Sequence, residues 1–346
     1  MVKVPLPITN AAHHWKTVPR LYLKITDEDG CTGIGEASPL PGYSPDTAAL
    51  CHGALSELLP RIMNRQVLGI SDIESTCALV PKDAPAARFA LETALLDLFA
   101  QSKNAPLWSL FVNSETPIEV NGLLSDNETE ATAQNLFDTG IRVFKMKIGT
   151  PNQFPKELDS LVRLRKTFGN EIAIRLDANS TLAGPDLLQK LNRLSAFDPE
   201  YIEEPFPLSQ QLPDHLPVPF AVDESLVEIN DHQKIAVHPQ CRAFVLKPTL
   251  LGGFFNVLKL ARIANQCSCE AVVTHCHESL PGFLATIHLS IAVKSRTACG
   301  LYPHAALRTS ASENYFRLTN GRISLISQMG LGILPNDIQL FTAGGS

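Results

Sequence analysis

The apolar positions change their spacing along the chain. Residues 21–37 (LYLKITDEDGCTGIGEA) hold two strand-like runs flanking Asp27-Glu28-Asp29-Gly30, whose acidic and glycine residues suit a turn, so a β-hairpin is predicted. A loop rich in proline and glycine follows, from Ser38 to Pro45. Residues 46–65 and 85–101 then read as helices. In the second, Phe89, Leu91, Leu95, Leu96, Leu98 and Phe99 form a broad apolar face. After about residue 115 short strand-like runs recur with helical stretches between them: 117–124, 142–148, 172–177, 200–204, 218–223, 242–247, 271–275 and 297–302. Eight such runs at intervals of roughly 20–30 residues are the βα rhythm of a parallel barrel. An open doubly wound sheet needs a glycine-rich phosphate loop after an early strand. The chain has no GxGxxG or Walker motif, and GIGEAS opens no evident helix.

The ends of these runs carry charge. In the second run side chains alternate, so Val143, Lys145 and Lys147 share one face while Phe144, Met146 and Ile148 share the other. A barrel covers its outside with helices, so the apolar face packs outward and the lysines point into the barrel mouth. On an isolated edge strand the same pattern would put them in water. Buried lysines need compensation. The next three runs end in Arg175-Leu176-Asp177-Ala178-Asn179, in Ile202-Glu203-Glu204-Pro205, and in Val222-Asp223-Glu224-Ser225; the sixth ends in Lys247-Pro248. Any one carboxylate has a structural reading as a helix cap, Asp223 most of all. Charge at successive strand ends fits a barrel active site better, because such sites lie at the C-terminal ends of the strands.

Three carboxylates on separate strands suit a hard cation such as Mg²⁺ that keeps open positions for water or substrate oxygens. His275, Cys276 and His277 of the seventh run belong to one strand only, which suits contact with substrate or core packing better than zinc ligation. A carbon acid beside a carboxylate is very weak, so its deprotonation needs a base and a stabiliser for the enediolate. A divalent ion supplies the second, and a lysine whose pKa is lowered by burial and nearby cations supplies the first.

Composition narrows the field further. With 45% hydrophobic and 18% charged residues over 346 positions, the chain has material for a large core. Its net charge is −6, and no Lys/Arg-rich run argues for nucleic acid as a partner. The eight cysteines form no CxxC pair and read as reduced, mostly buried thiols of a cytoplasmic protein. The first fifteen residues lack a signal peptide's apolar stretch, and histidines, Glu278 and Pro281 interrupt 271–293, so no membrane span is expected.

Taken together, KMK at 145–147, LDAN at 176–179, IEEP at 202–205, VDES at 222–225 and LKP at 246–248 resemble the enolase superfamily in its muconate-lactonizing-enzyme subgroup. The hairpin with GIGEASPLPGYS and the helix from Ala87 extend the likeness over most of the chain. The resemblance implies an α/β fold, a modified TIM barrel (βα)7β, with an α+β capping domain built from both ends of the chain. The corresponding division is residues 1–112 for the cap, 113–315 for the barrel and 316–346 for a segment packing back on the cap. It implies Mg²⁺ bound by Asp177, Glu203 and Asp223, Lys147 as general base and Lys247 as its partner on the other face, with Lys145, Asn179 and Glu224 in support. It further implies that Thr274, His275, Cys276, Glu278 and Ser279, with Pro41 and Tyr43 of a loop closing over the site, contact a small carboxylate substrate.

EASPLPGYS and LKPTLLGG look most like the o-succinylbenzoate synthases, which dehydrate a cyclohexadiene carboxylate in menaquinone synthesis. The seventh run departs from those enzymes, reading THCHES where they carry Ser-rich sequence. It also lacks the Asp-x-Asp pattern of dipeptide epimerases. Two facing lysines equally suit a racemase of N-succinylamino acids, an epimerase or a cycloisomerase; a barrel that only binds a ligand would have no use for so many costly charges. The sequence carries no clear signal of oligomeric state.

Overall fold

The computed structural model describes residues 2–9, 14–63, 65–124, 129–209, 212–326, 328–334 and 337. Its N-terminal part is an antiparallel sheet of β1 (Val2–Thr9), β2 (His14–Thr26) and β3 (Thr32–Ala37) followed by α1 (Ala48–Ile62), α2 (Ile70–Cys77) and α3 (Pro85–Ser102). The predicted hairpin is β2–β3, paired from Thr26↔Thr32 to Leu21↔Ala37. Its turn is closed by the Cys31 N–H donating to Asp27 Oδ1 at 2.8 Å, with Gly30 at φ +85°. The sequence reading did not include α2. That helix is short, and Asp72 secures its start by accepting from the Gly69 N–H at 3.1 Å.

The flat face of β3 lies directly on α3. A Cβ at Gly33 would stand 2.0 Å from the Ala94 carbonyl oxygen, and one at Gly35 would stand 1.9 Å from that of Ala90. This close approach explains TGIGEA, since glycine alone leaves room for a helix backbone there. It also explains why α3 is apolar nearly all round: the sheet covers one side and the barrel another. Gly35→Ala is expected to destabilise the protein by about 1–3 kcal/mol through overpacking. An unchanged denaturant midpoint would contradict the packing described.

The barrel contains β5 (Asn121–Leu124), β6 (Val143–Lys147), β7 (Ala173–Asp177), β8 (Tyr201–Glu203), β9 (Phe220–Val222), β10 (Cys241–Leu246) and β11 (Glu270–Val273). These seven strands are parallel and lie side by side in chain order. Between them run α4 (Thr129–Asp138), α5 (Phe154–Phe168), α6 (Leu187–Ser195), α7 (Ser225–Glu228), α8 (His232–Ala236), α9 (Pro248–Leu251) and α10 (Phe254–Gln266), and α11 (Leu280–Val293) follows β11. Closure comes from residues 299–300. Cys299 bridges to Val120 and Gly300 to Thr274, with the Gly300 N–H donating to Val273 O at 2.9 Å. The eighth predicted run is thus reduced to two bridges. The first run splits: Ile118–Glu119 forms β4, which pairs with β13 (Arg322–Leu325), itself paired with β12 (Phe316–Thr319).

Beyond β13 the chain reaches α3. The Gly330 N–H donates to Ala105 O, Leu107 N–H to Gly330 O, and Leu331 N–H to Asp97 Oδ1 at 2.7 Å. Among the described residues no helix is long and apolar enough to cross a membrane. Even α11, whose fourteen residues are all buried, falls well short of the roughly 20 that a span needs.

Candidate active site

The barrel mouth is built by strand alternation and register. Phe144, Met146 and Ile148 are buried, and Phe144 meets Phe168 of α5 edge-on at 5.7 Å. Lys145 and Lys147 consequently point inward. Lys147 is in register with Asp177, and Asp177 with Glu203. One layer deeper, Lys145 aligns with Arg175 and Tyr201. Tyr201, Ala221, Ala243, Val245 and Val272 fill the interior below. Arg175 closes this floor, donating to Ala298 O and Thr297 Oγ1 at 2.6 Å each and pairing with Glu200 at 2.7 Å.

Charges meet above that floor. Lys145 Nζ lies 2.9 Å from Asp177 Oδ2 and 2.7 Å from Glu203 Oε1. Burial acts to lower the Lys145 pKa, but the two carboxylates outweigh it and hold the ammonium above its ordinary range. Lys147 faces Asp177 and His277, and its charge acts on both. Across the barrel, Lys247 at the start of α9 donates to Asp223 and, at 2.7 Å, to the Tyr43 hydroxyl. Tyr43 in turn donates to Glu224 Oε1 at 3.2 Å, and Asn179 Nδ2 donates to the same oxygen at 2.9 Å. Burial, followed by the charge of Asp223, pushes the Tyr43 phenol far above its usual pKa, so it stays a hydrogen-bond donor.

Tyr43 belongs to the loop after β3. Trp15 holds that loop, donating from Nε1 to Pro41 O at 2.7 Å and meeting the Tyr43 ring edge-on at 6.2 Å. Trp15, Leu40, Leu250 and Cys276 pack together beneath it, so the cap seals one side of the mouth.

Glu204, the second acid of IEEP, has a different task from Glu203. It is fully buried and accepts from the Asp223 N–H at 2.9 Å, the Leu208 N–H at 3.2 Å and the Ser225 hydroxyl. Burial raises its pKa to about 7. Its backbone sits at φ +42°, a conformation costly for a glutamate, and these bonds hold it there. Glu204 thereby fixes the backbone from which Asp223 projects.

Three carboxylates thus stand at the ends of adjacent strands, and the charge of Glu203 acts on Asp223. Two buried acids in contact require a shared proton or a cation. Burial, then Glu224, raises the Asp223 pKa well above the ordinary range despite Lys247. Glu224 Oε2 and Asn179 Oδ1 are also buried without a hydrogen-bond partner among the described residues. Among those residues, no three His, Cys, Asp or Glu side chains stand in ion-holding geometry, and the ammoniums of Lys145 and Lys247 lie against the carboxylates. The all-oxygen donor set of Asp177, Glu203 and Asp223 fits a hard divalent cation.

The cavity here measures about 290 Å³. Lys145, Lys147, Lys247, Asp177, Asn179 and Glu203 line it, as do Tyr43, Thr274, His275 and Cys276. Asp223 and Glu224 lie immediately behind Lys247 and Tyr43. Three residues expected at the substrate are turned elsewhere. Pro41 faces solvent and offers its carbonyl to Trp15. Glu278 is buried against the Thr249 hydroxyl and accepts from the Cys276 N–H at 2.6 Å. Ser279 is bound to Glu36 of the cap, which accepts from its N–H at 2.8 Å, from its hydroxyl at 2.6 Å and from the Gly282 N–H at 3.0 Å, while Arg20 Nε lies 3.2 Å away. Glu278 and Ser279 therefore anchor the loop carrying the histidines and dock α11 on the cap.

Rings of His275, His277 and His304 stand 5.3–5.8 Å apart. They do not make a metal site. His275 Nδ1 accepts from the His277 N–H at 3.0 Å, so its Nε2 donates to Tyr302 O at 3.2 Å, and both nitrogens are taken. His304 donates from Nε2 to Glu278 O at 2.8 Å, which leaves Nδ1 a buried acceptor without a partner among the described residues. Burial lowers the pKa of His275 to about 4 and that of His304 to about 3, so both rings are neutral near pH 7.

Sequence reasoning missed one wall of this cavity. Asn121 and Leu123 come from β5, and Tyr302, Pro303, His304 and Arg308 from the segment after the closing bridges. The signal was the strand-end rule already used for the other runs, which applies equally to the first and the eighth.

Comparison with known proteins agrees with this architecture. The mandelate racemase / muconate lactonizing enzyme N-terminal domain model matches residues 1–111, and the enolase C-terminal domain-like model matches residues 128–338. An L-Lys-D/L-Arg epimerase of Methylococcus capsulatus is 28% identical, covering 92% of both chains. An o-succinylbenzoate synthase of Desulfotalea psychrophila is 32% identical over 77% of this chain and 81% of its own length. The crystal structure of the Methylococcus dipeptide epimerase, complexed with Mg ion, superposes with a TM-score of 0.80 over 92% of this chain and 94% of that one, at 28% identity. With both domain models matched and the lysines and carboxylates meeting at the mouth of a seven-stranded parallel barrel, this chain belongs to the enolase superfamily, in its muconate-lactonizing-enzyme-like group.

Proposed function

We propose that this chain is an o-succinylbenzoate synthase, dehydrating 2-succinyl-6-hydroxy-2,4-cyclohexadiene-1-carboxylate to o-succinylbenzoate and water. The observation that carries the reading is the charge of the cavity. Its described carboxylates are Asp177 and Glu203 at the lysine end, while the wall beyond them presents neutral imidazoles and Arg308. A dipeptide brings an ammonium that would find no counter-charge on that wall, whereas a succinyl arm brings a carboxylate. The 32% identity to a synthase supports the same choice.

In this mechanism the substrate's ring carboxylate lies towards Asp177, Glu203 and Asp223. Those three residues would hold Mg²⁺, which supplies Lewis-acid stabilisation of the charge that develops on the carboxylate. Lys147 Nζ removes the α-proton, breaking the C–H bond and leaving the electron pair in an enediolate. Lys247, an ammonium held by Asp223 and Tyr43, offsets that negative charge from the other side. Lys147, now protonated, gives its proton to the departing hydroxyl as the ring becomes aromatic. Asn179 and Tyr43 hold Glu224 in place beside this pair.

The second reading is an N-succinylamino acid racemase, favoured by the two lysines reaching the cavity from opposite sides. The test is direct. Purified protein with Mg²⁺ and the cyclohexadiene substrate should consume the diene absorbance, and EDTA should stop it. N-Succinylamino acids in D₂O should be run alongside. No EDTA-sensitive loss of the diene would sink the synthase reading, and α-deuteration alone would establish the racemase.

A further inference from the structure

Arg308 is the charged residue of the missed wall. Its guanidinium lies over the Tyr302 ring, 5.6 Å from the centroid, with Nη1 3.5 Å from the Tyr302 hydroxyl. Tyr302 is itself held, since its carbonyl accepts from His275. The Arg308 backbone follows a short 3-10 turn, Ala305–Leu307, whose Leu307 is buried, and its N–H donates to Ala305 O at 3.2 Å. The base of the side chain is therefore fixed while its head borders the cavity. Lys145 and Lys247 are bound to carboxylates, but among the described residues Arg308 forms no ion pair with one. A guanidinium so placed has donors in a planar fork that matches a carboxylate in two-point contact.

We infer that Arg308 is the specificity-determining residue for the substrate's second carboxylate, the one at the end of a succinyl side arm. The inference rests on the synthase-or-racemase reading above and adds to it the residue that recognises the acid group lying away from the reacting carbon. The reacting carboxylate goes to the metal-binding end, and Arg308 reads the other. Tyr302 presets the guanidinium, so less rotamer freedom is lost when ligand binds.

The test measures binding and needs no turnover. Calorimetric titration in Mg²⁺ buffer compares o-succinylbenzoate with the analogue in which only the side-arm acid is a carboxamide. Wild-type protein is expected to prefer the dicarboxylate by about 10-fold or more, as a charge-assisted hydrogen-bonded pair requires. Arg308→Gln should bring the two Kd values within about twofold, and Arg308→Lys should keep part of the preference. Equal discrimination in wild type and Arg308→Gln would overturn the assignment. If wild type does not bind the dicarboxylate at all, both the assignment and the proposed function fall. If discrimination depends on Arg308 while the cyclohexadiene acid is never turned over, the synthase reading falls and the Arg308 assignment stands.

Discussion

Lys147→Ala is expected to reduce turnover by about 10²–10⁴-fold, the usual range for loss of a positioned acid or base, while the fold survives. The loss should be at the high end, because in the proposed mechanism one lysine both takes the α-proton and returns it to the leaving hydroxyl. No neighbour replaces it. Lys145 points the same way from the same strand, but its ammonium is bound to Asp177 and Glu203 one layer deeper. Lys247 lies across the barrel on the other face of the substrate. Steady-state rates and a thermal melt on the same preparation check this. Turnover within tenfold of wild type, with the melt unchanged, would mean that the base is misassigned.

Lys247→Ala separates the two reactions the site supports. For dehydration, Lys247 supplies charge only, so kcat should fall by about 10²–10³-fold and Lys247→Arg should recover part of it. For racemisation, Lys247 is itself a base. The variant should then lose α-deuteration of one enantiomer of an N-succinylamino acid while keeping that of the other. Loss of both exchanges with dehydration intact would contradict the opposed placement of the lysines. The variant also tests the electrostatics. Asp223 is 3% exposed, and without Lys247 it becomes a buried acid lacking its cationic partner. With its pKa already raised by burial, Asp223 then takes up a proton, which keeps the cost below the roughly 3–5 kcal/mol of an uncompensated buried charge, and a divalent ion at the carboxylates should restore most of it. The metal-free variant is thus expected to melt well below wild type and to regain the difference in Mg²⁺.

Much of this arrangement was readable because barrel physics constrains pattern so strongly. The alternation places Lys145 and Lys147 in the interior because Phe144 and Met146 have to face the helices, and the burial of Phe144 and Met146 agrees with it. What escaped notice is equally physical. The closing element is expected at 297–302, but that it pairs only through bridges at Cys299 and Gly300 depends on partners that no period in the sequence records. Glu204 looks like Glu203 in IEEP, and only the third dimension shows that its partners are backbone N–H groups. The hydroxyl of Ser279 and the carboxylate of Glu278 are spent on joining parts of the chain far apart in sequence, which no local motif records. His304 and Arg308 lie beyond the last strand-like run, where an irregular loop carries no apolar rhythm.

The bonds that bind Leu331 to Asp97, and Ser279 and Gly282 to Glu36, have a consequence for synthesis in the cell. The residues they join are 234, 243 and 246 positions apart. A ribosome adds about 5–20 residues per second, so the buried carboxylates of the first hundred residues wait on the order of ten to fifty seconds for their partners. During that interval β3 and α3 can pair with each other but cannot bury their remaining faces. The segment that carries Glu36 and Asp97 is therefore completed only after residues 279–331 have been made, and the nascent chain depends on staying unaggregated until then.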